Sequence, residues 1–209
     1  MNLRQRELFN TIASSIQEQM NRSLSRIRTF VTGGAGVGKT FTFNALKEQV
    51  NRCYGKKAVG VCTLTGVAAR FVGETMLHTL FKLPVEKDGK ILGNLAPLIG
   101  NYLKILRNQW KDAKFLFINE ISMVPYEMLC MIDSRLRQLK KKEIEPFGGI
   151  NIMVFGDLFQ LPRSSGIPPA CKIYSGNSFV ETPQSCGVDG EHATTKLYNI
   201  CRILYASVS

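Results

Sequence analysis

The sequence predicts an α/β fold: three layers, with a mostly parallel sheet covered by helices on both faces and preceded by one N-terminal helix. Two observations predict it. Largely apolar, β-favouring segments of strand length, at 28–32, 58–64, 114–119 and 150–155, alternate with helix-length segments, the pattern of parallel strands buried on both faces. The polar motifs stand directly after these runs, where ligands of such sheets bind.

The elements follow in order. Leu8, Ile12, Ile16, Met20, Leu24 and Ile27 recur at three- and four-residue steps, so a helix with one apolar face is predicted over 3–27. A first strand (28–32), a glycine-rich loop and a helix (38–51) come next, then a second buried strand (58–64). Thr65-Gly66 breaks to a short helix through Arg70 and Phe71. Residues 84–94, with Pro84, Asp88-Gly89 and Gly93-Asn94, read as a polar turn-rich loop. A helix over about 96–110 ends in Trp110, read as a core or helix-end anchor because no second aromatic flanks it. The strand at 114–119, the helix at 126–140 and the strand at 150–155 complete the series. Residues 164–209 are rich in Ser, Gly, Pro and Thr, with weak periodicity before Leu197, and read as a poorly specified tail. The domain proper is 1–163.

Composition narrows the class. The chain has 209 residues, 44% of them hydrophobic, enough for a proper core. It has no run of 18 apolar residues and no signal-peptide core behind Met1–Arg6. A nuclear, or otherwise cytosolic, protein with no membrane partner is expected. The six cysteines (Cys53, Cys62, Cys130, Cys171, Cys186, Cys201) form no C-x-x-C pair and read as reduced thiols. Net charge is +11; residues 164–209 carry three basic and three acidic side chains, so the whole excess lies in 1–163. Polyanions are the natural partner of such a field. Lys140-Lys141-Lys142 reads as a favourable helix-end charge run and a solvated turn.

Residues 33–40 (Gly33, Gly34, Ala35, Gly36, Val37, Gly38, Lys39, Thr40) form a complete P-loop, G-x-x-x-x-G-K-[ST]. Its glycines let backbone N–H groups close around phosphate oxygens, Lys39 brings a point charge to the terminal phosphates, and Thr40 can ligate Mg²⁺. Such a site needs an acidic strand end near the metal. Phe115-Leu116-Phe117-Ile118-Asn119-Glu120 has that form. The pair is usually Asp-Glu; here Asn119 can reach Mg²⁺ only through a metal-bound water, without a charge, and Glu120 is the candidate base for the attacking water. Gly156-Asp157-Leu158-Phe159-Gln160-Leu161-Pro162 follows the next strand, and Gln160 is a candidate sensor of the terminal phosphate.

These elements in this order resemble the superfamily 1 DNA helicases, most closely the petite integration frequency (PIF-type) helicases, including those of Helitron transposons. The resemblance covers 1–163 and implies a RecA-like P-loop domain acting on ATP with Mg²⁺. Leu3-Arg4-Gln5 resembles the Q motif, which implies that Gln5 reads the adenine. Thr63 to Ala69 resembles motif Ia, which implies that Thr65 and Gly66 contact single-stranded DNA. Gly73-Glu74-Thr75 and His78 resemble a Gly-x-Thr-apolar-His segment; His78 reads either as a DNA contact or as a satisfied structural histidine. Asn119-Glu120-Ile121-Ser122-Met123 resembles Asp-Glu-Ile-Ser-Met, and Gly156 to Pro162 resembles motif III.

Four departures stand beside this. Asn119 replaces the metal-associated Asp, Leu64 stands where the family has Pro, one extra residue separates Thr75 from His78, and Arg163 replaces a second Pro. Residues 164–209 resemble nothing in the family's second RecA-like domain, which carries motifs IV to VI and the arginine fingers. The resemblance implies 5′→3′ stepping on single-stranded DNA coupled to ATP hydrolysis. The expectation for this chain alone is weak ATP binding, non-specific single-strand binding and no unwinding. Two alternatives stay open: a degenerate ATP- and DNA-binding module, and a small P-loop kinase, although 84–94 lacks the arginines of a kinase lid.

Overall fold

Each strand turns alternate side chains to opposite faces, and here both faces are buried. The structure, a computed structural model, describes residues 1–22, 26–64, 75–84 and 95–157, together with the backbone of 173–175. Its elements are α1 (Leu3–Asn21), β1 (Arg28–Thr32), α2 (Lys39–Tyr54), β2 (Val59–Thr63), β3 (Thr75–Met76), α3 (Leu77–Phe81), α4 (Gly100–Trp110), β4 (Phe115–Asn119), α5 (Tyr126–Lys140), β5 (Asn151–Gly156) and β6 (Ile173–Ser175). They build one six-stranded sheet in the order β3-β2-β4-β5-β1-β6. All pairs are parallel except β1 with β6.

Two apolar clusters sandwich the sheet. On one face Val31, Phe115, Phe117, Met153 and Phe155 meet Leu8, Ile12 and Ile16 of α1 and Phe43, Leu46 and Val50 of α2. Phe43 sets its edge against Phe117 and Phe155, with ring centroids 5.4 and 5.0 Å apart. On the other face Phe30, Leu116, Ile118, Ile152 and Val154 meet Leu106 and Trp110 of α4 and Met128, Leu129, Ile132, Leu136 and Leu139 of α5. Each such side chain contributes roughly 1.5–3 kcal/mol when fully buried. The three-layer architecture is the predicted one.

Several boundaries differ from expectation. The first helix ends at Asn21, not 27: Met20 is half exposed, and Ile27 packs on the core from irregular chain before β1. Leu24 lies outside the described residues. Helix α4 begins at Gly100 rather than 96, because Pro97 holds its predecessor extended and Gly100 turns the chain at φ 62°. Strands β3 and β6 and helix α3 were not foreseen. β6 falls within 164–209 and extends the sheet antiparallel beyond β1. The expected helix through Arg70 and Phe71 and the loop after Pro84 lie outside the described residues.

Trp110 is a core anchor, 3% exposed and stacked on Phe81 at 5.0 Å. Among the described cysteines, Cys53, Cys62 and Cys130 are thiols rather than disulfide halves. Lys140 does more than end a helix: its ammonium donates to the carbonyls of Trp110, Lys111 and Ala113 at 2.5, 3.2 and 2.8 Å, capping α4. No helix among the described residues is long and apolar enough to cross a membrane.

Candidate nucleotide site

Parallel strands end together, so the sequence motifs that follow them line one edge. Thr63 pairs with Met76 on one side and Asn119 on the other, while Ile118 pairs with Val154 and Thr32 with Gly156. Along that edge stand His78 beyond β3, Thr63, Asn119-Glu120, Gly156-Asp157 and the P-loop. At about 4.8 Å per strand, β4 ends about 10 Å from β1, with β5 between them.

The loop 33–38 delivers the chain from β1 into α2. Gly38 is the N-cap of α2 at φ 82°, ψ 27°, with no side-chain cap and no acidic residue in the first turn. The helix therefore presents free N–H groups and an uncompensated positive dipole end, which suits an anion. Only glycine fits at 38: its left-handed φ is strained for other residues, and a Cβ would stand 2.3 Å from Gln5 Nε2. Lys39 folds back, its Nζ donating to the carbonyls of Gly33 and Gly34 at 2.5 and 2.7 Å. Phosphate oxygens would exchange with those carbonyls. Thr40 is exposed beside it.

Gln5 is held from two sides. Its backbone N–H donates to Asn2 Oδ1 and its Oε1 accepts from the Asn2 backbone N–H, both at 2.9 Å, a capping box that starts α1. Its Nε2 donates to the Val37 carbonyl at 2.7 Å, so the helix cap also clasps the P-loop. The adenine role does not reveal this second task. The Asn2-x-x-Gln5 spacing signals the cap, while the clasp on Val37 is a tertiary contact.

Asn119 and Glu120 are both half-buried. Glu120 takes φ 54°, ψ 47°, a left-handed conformation that costs a non-glycine residue about 1–2 kcal/mol. It turns the chain out of β4 into a 3-10 turn over Ile121–Met123. That turn packs on the end of β5: a Cβ at Gly156 would meet Ile121 Cγ2 at 2.9 Å and the Ile121 and Ser122 nitrogens at 3.0 and 3.2 Å. Glycine at 156 thus lets the Asn119-Glu120 turn and the Gly156-Asp157 turn touch through backbone. Asp157 is buried there, 4% exposed. Sequence reasoning gave no role to Thr63, whose Oγ1 is buried beside Asn119 with no hydrogen-bond partner among the described residues. His78 is half-buried near the start of α3. Thr65, Gly66 and Gln160 lie outside the described residues.

No group of three His, Cys, Asp or Glu among the described residues could hold a metal ion. Thr40, Asn119 and Glu120 offer a hydroxyl, an amide and one carboxylate. That set fits a hard cation carried mainly by phosphate and water, as Mg²⁺ is, rather than one caged by protein.

The edge and the sheet define a P-loop nucleotide-binding domain of the RecA-like type. The PIF1-like helicase family matches residues 1–169, and the chain belongs to that family. It is 34% identical over 137 residues to the ATP-dependent DNA helicase RRM3 of Saccharomyces cerevisiae, covering 66% of this chain and 18% of that protein. It is 35% identical over 144 residues to the ATP-dependent DNA helicase PIF1 of Xenopus laevis, covering 68% and 21%. Bacteroides Pif1 in complex with ADP-AlF4 superposes with a TM-score of 0.57 at 33% identity, covering 76% of this chain and 33% of that one. The same Bacteroides protein bound to single-stranded DNA gives 0.51 at 34% identity, covering 72% and 33%. The chain thus spans about a fifth of its curated relatives and a third of the solved structures.

Proposed function

We propose that this chain is the ATP-binding half of a DNA helicase motor, binding Mg²⁺·ATP and single-stranded DNA along the edge just described. The observation that carries the reading is the shared edge itself. It brings the open N-terminus of α2 with Lys39, the Asn119-Glu120 turn and Gly156-Asp157 together on adjacent strands. The nucleotide phosphates take the P-loop amides and Lys39, and Gln5, which clasps the loop at Val37, reads the adenine. Glu120 orients and deprotonates the attacking water, and Gln160 senses the terminal phosphate. Mg²⁺, held by Thr40 and through water by Asn119, would neutralise charge on the phosphate oxygens. Thr65, Gly66 and His78 contact the single-stranded DNA. In the complete motor this half works with a second domain and steps 5′→3′, in the nucleus.

The neutral Asn119 makes this half a slow hydrolase, because it offers the metal-bound water a hydrogen bond without a charge. Steady-state phosphate release by the 209-residue chain, with and without single-stranded DNA, tests the reading. Asn119→Asp is expected to raise DNA-stimulated hydrolysis at least about tenfold, a barrier change of about 1.4 kcal/mol. Saturable ATP binding without any gain in the variant would instead identify a binding module. No saturable ATP binding at all would overturn the proposal.

A further inference from the structure

A cleft also opens away from the nucleotide site. It holds about 840 Å³ at the opposite edge of the sheet, between residues 95–97, α4 and the end of α5 with residues 141–145. Five cationic side chains line it, with Glu143 and Glu145. Arg137 is matched by Asp133 at 2.8 Å and Lys142 by Glu145 at 2.9 Å. Arg107, Arg135 and Lys141 have no carboxylate partner among the described residues.

Arg135 is the unusual one. It is 2% exposed, and its guanidinium donates to neutral acceptors: the carbonyls of Phe81 and Ala96 at 3.1 and 3.2 Å and the Gln138 side-chain oxygen at 2.9 Å. Those bonds satisfy its hydrogens but leave its charge uncompensated, which a buried cation tolerates poorly. Arg107 donates to the Gln138 carbonyl at 3.1 Å, while its Nε is buried without an acceptor among the described residues. Among the described residues the floor of the cleft therefore carries positive charge that no carboxylate neutralises. Its rim is apolar: Leu95 and Pro97 line it, and Ile144 is 93% exposed.

We propose that this cleft docks an acidic peptide segment of a partner protein, with carboxylates on Arg107 and Lys141, the buried charge of Arg135 beneath them, and an apolar side chain against Leu95, Pro97 and Ile144. Charge complementarity selects an anion. The apolar rim selects a peptide over a phosphodiester backbone, and the volume falls in the roughly 300–1,000 Å³ range of pockets that enclose small ligands or a few side chains.

The test uses the 209-residue chain and a fluorescein-labelled synthetic peptide of Asp and Glu with two leucines, read by fluorescence anisotropy. Lys141→Glu is expected to weaken the peptide at least about tenfold, whereas Lys57→Glu, the same charge change on the exposed turn after α2, weakens it less than about twofold. Arg107→Gln provides a second variant that keeps the fold and should weaken the peptide in the same sense. Replacing both leucines by serine should also weaken binding, and affinity for a DNA duplex should be unchanged in Lys141→Glu. Equal losses in Lys141→Glu and Lys57→Glu would reduce the effect to the general field and overturn the proposal. So would a duplex that loses more affinity than the peptide.

Discussion

The two edges of the sheet treat their polar groups in opposite ways. Among the described residues at the carboxyl edge, α2 opens with no side-chain cap, Lys39 holds only the carbonyls of its own loop, and the Thr63 hydroxyl has no partner. At the amino edge long side chains close the chain ends. Lys140 takes three carbonyls at the end of α4, Arg135 reaches Phe81 and Ala96, and Asn151 exchanges amide hydrogen bonds with Gln19 at 3.0 and 2.7 Å while accepting from the Ile27 N–H at 2.8 Å. One edge is left open for a ligand; the other binds the layers together. Stability and ligand affinity should therefore separate by edge.

The largest effect should come from the closed edge. Arg135→Met strips donors from two buried carbonyls and the Gln138 side chain, and is expected to cost about 3 kcal/mol of unfolding free energy. Urea denaturation would show it, with ATP affinity in the folded fraction unchanged. A variant as stable as the parent would break the contrast.

The open edge should behave in reverse. Lys39→Ala is expected to weaken ATP at least about tenfold, or about 1.4 kcal/mol, while moving stability less than about 0.5 kcal/mol. Fluorescent-nucleotide titration and a denaturation curve on the same sample read both. A large loss of stability would mean that the bonds from Lys39 to Gly33 and Gly34 support the fold as well as the site.

An effect confined to alkaline pH is expected at the closed edge. Burial, followed by the charge of Lys114, lowers the Lys140 ammonium from 10.5 to about 8; Asp112 opposes this and Lys142 adds to it. Between those values the unfolded chain binds more protons than the folded one, so this group's contribution to stability rises with pH. Below pH 8 both states are protonated and the burden of burying the charge is present in full. Unfolding midpoints of the parent should thus gain on those of Lys140→Met between pH 8 and 10.5. Parallel curves across that window would remove Lys140 as the cause.

The same division explains what could be read from the amino-acid order. The open edge was legible because its groups act locally: the P-loop is eight consecutive residues, and Asn119-Glu120 and Gly156-Asp157 each follow a continuous apolar run. Strands β1, β4 and β5 and helix α5 were legible for the same reason. The closed edge was not, because its bonds join distant residues: Arg135 reaches Phe81 across 54 positions and Ala96 across 39. Lys140 looked like a solvated charge until the end of α4 was placed against it. β3 and β6, two and three residues long, are too short to have a period of their own, and edge pairing alone defines them. Gln5 was singled out by resemblance, while its clasp on Val37 depends on where α1 lies over the loop.

Trp110 also has an optical consequence. It is the chain's single tryptophan, 3% exposed, stacked on Phe81 and seated under Gly60, where a Cβ would stand 2.8 Å from the indole. Its emission will be that of a dry indole in the native state and will shift to the red only when the α4 layer leaves the sheet. Because α1, α2 and the P-loop contain no tryptophan, intrinsic fluorescence reports one face of this molecule. Any change in it on adding nucleotide would be a signal carried across the sheet.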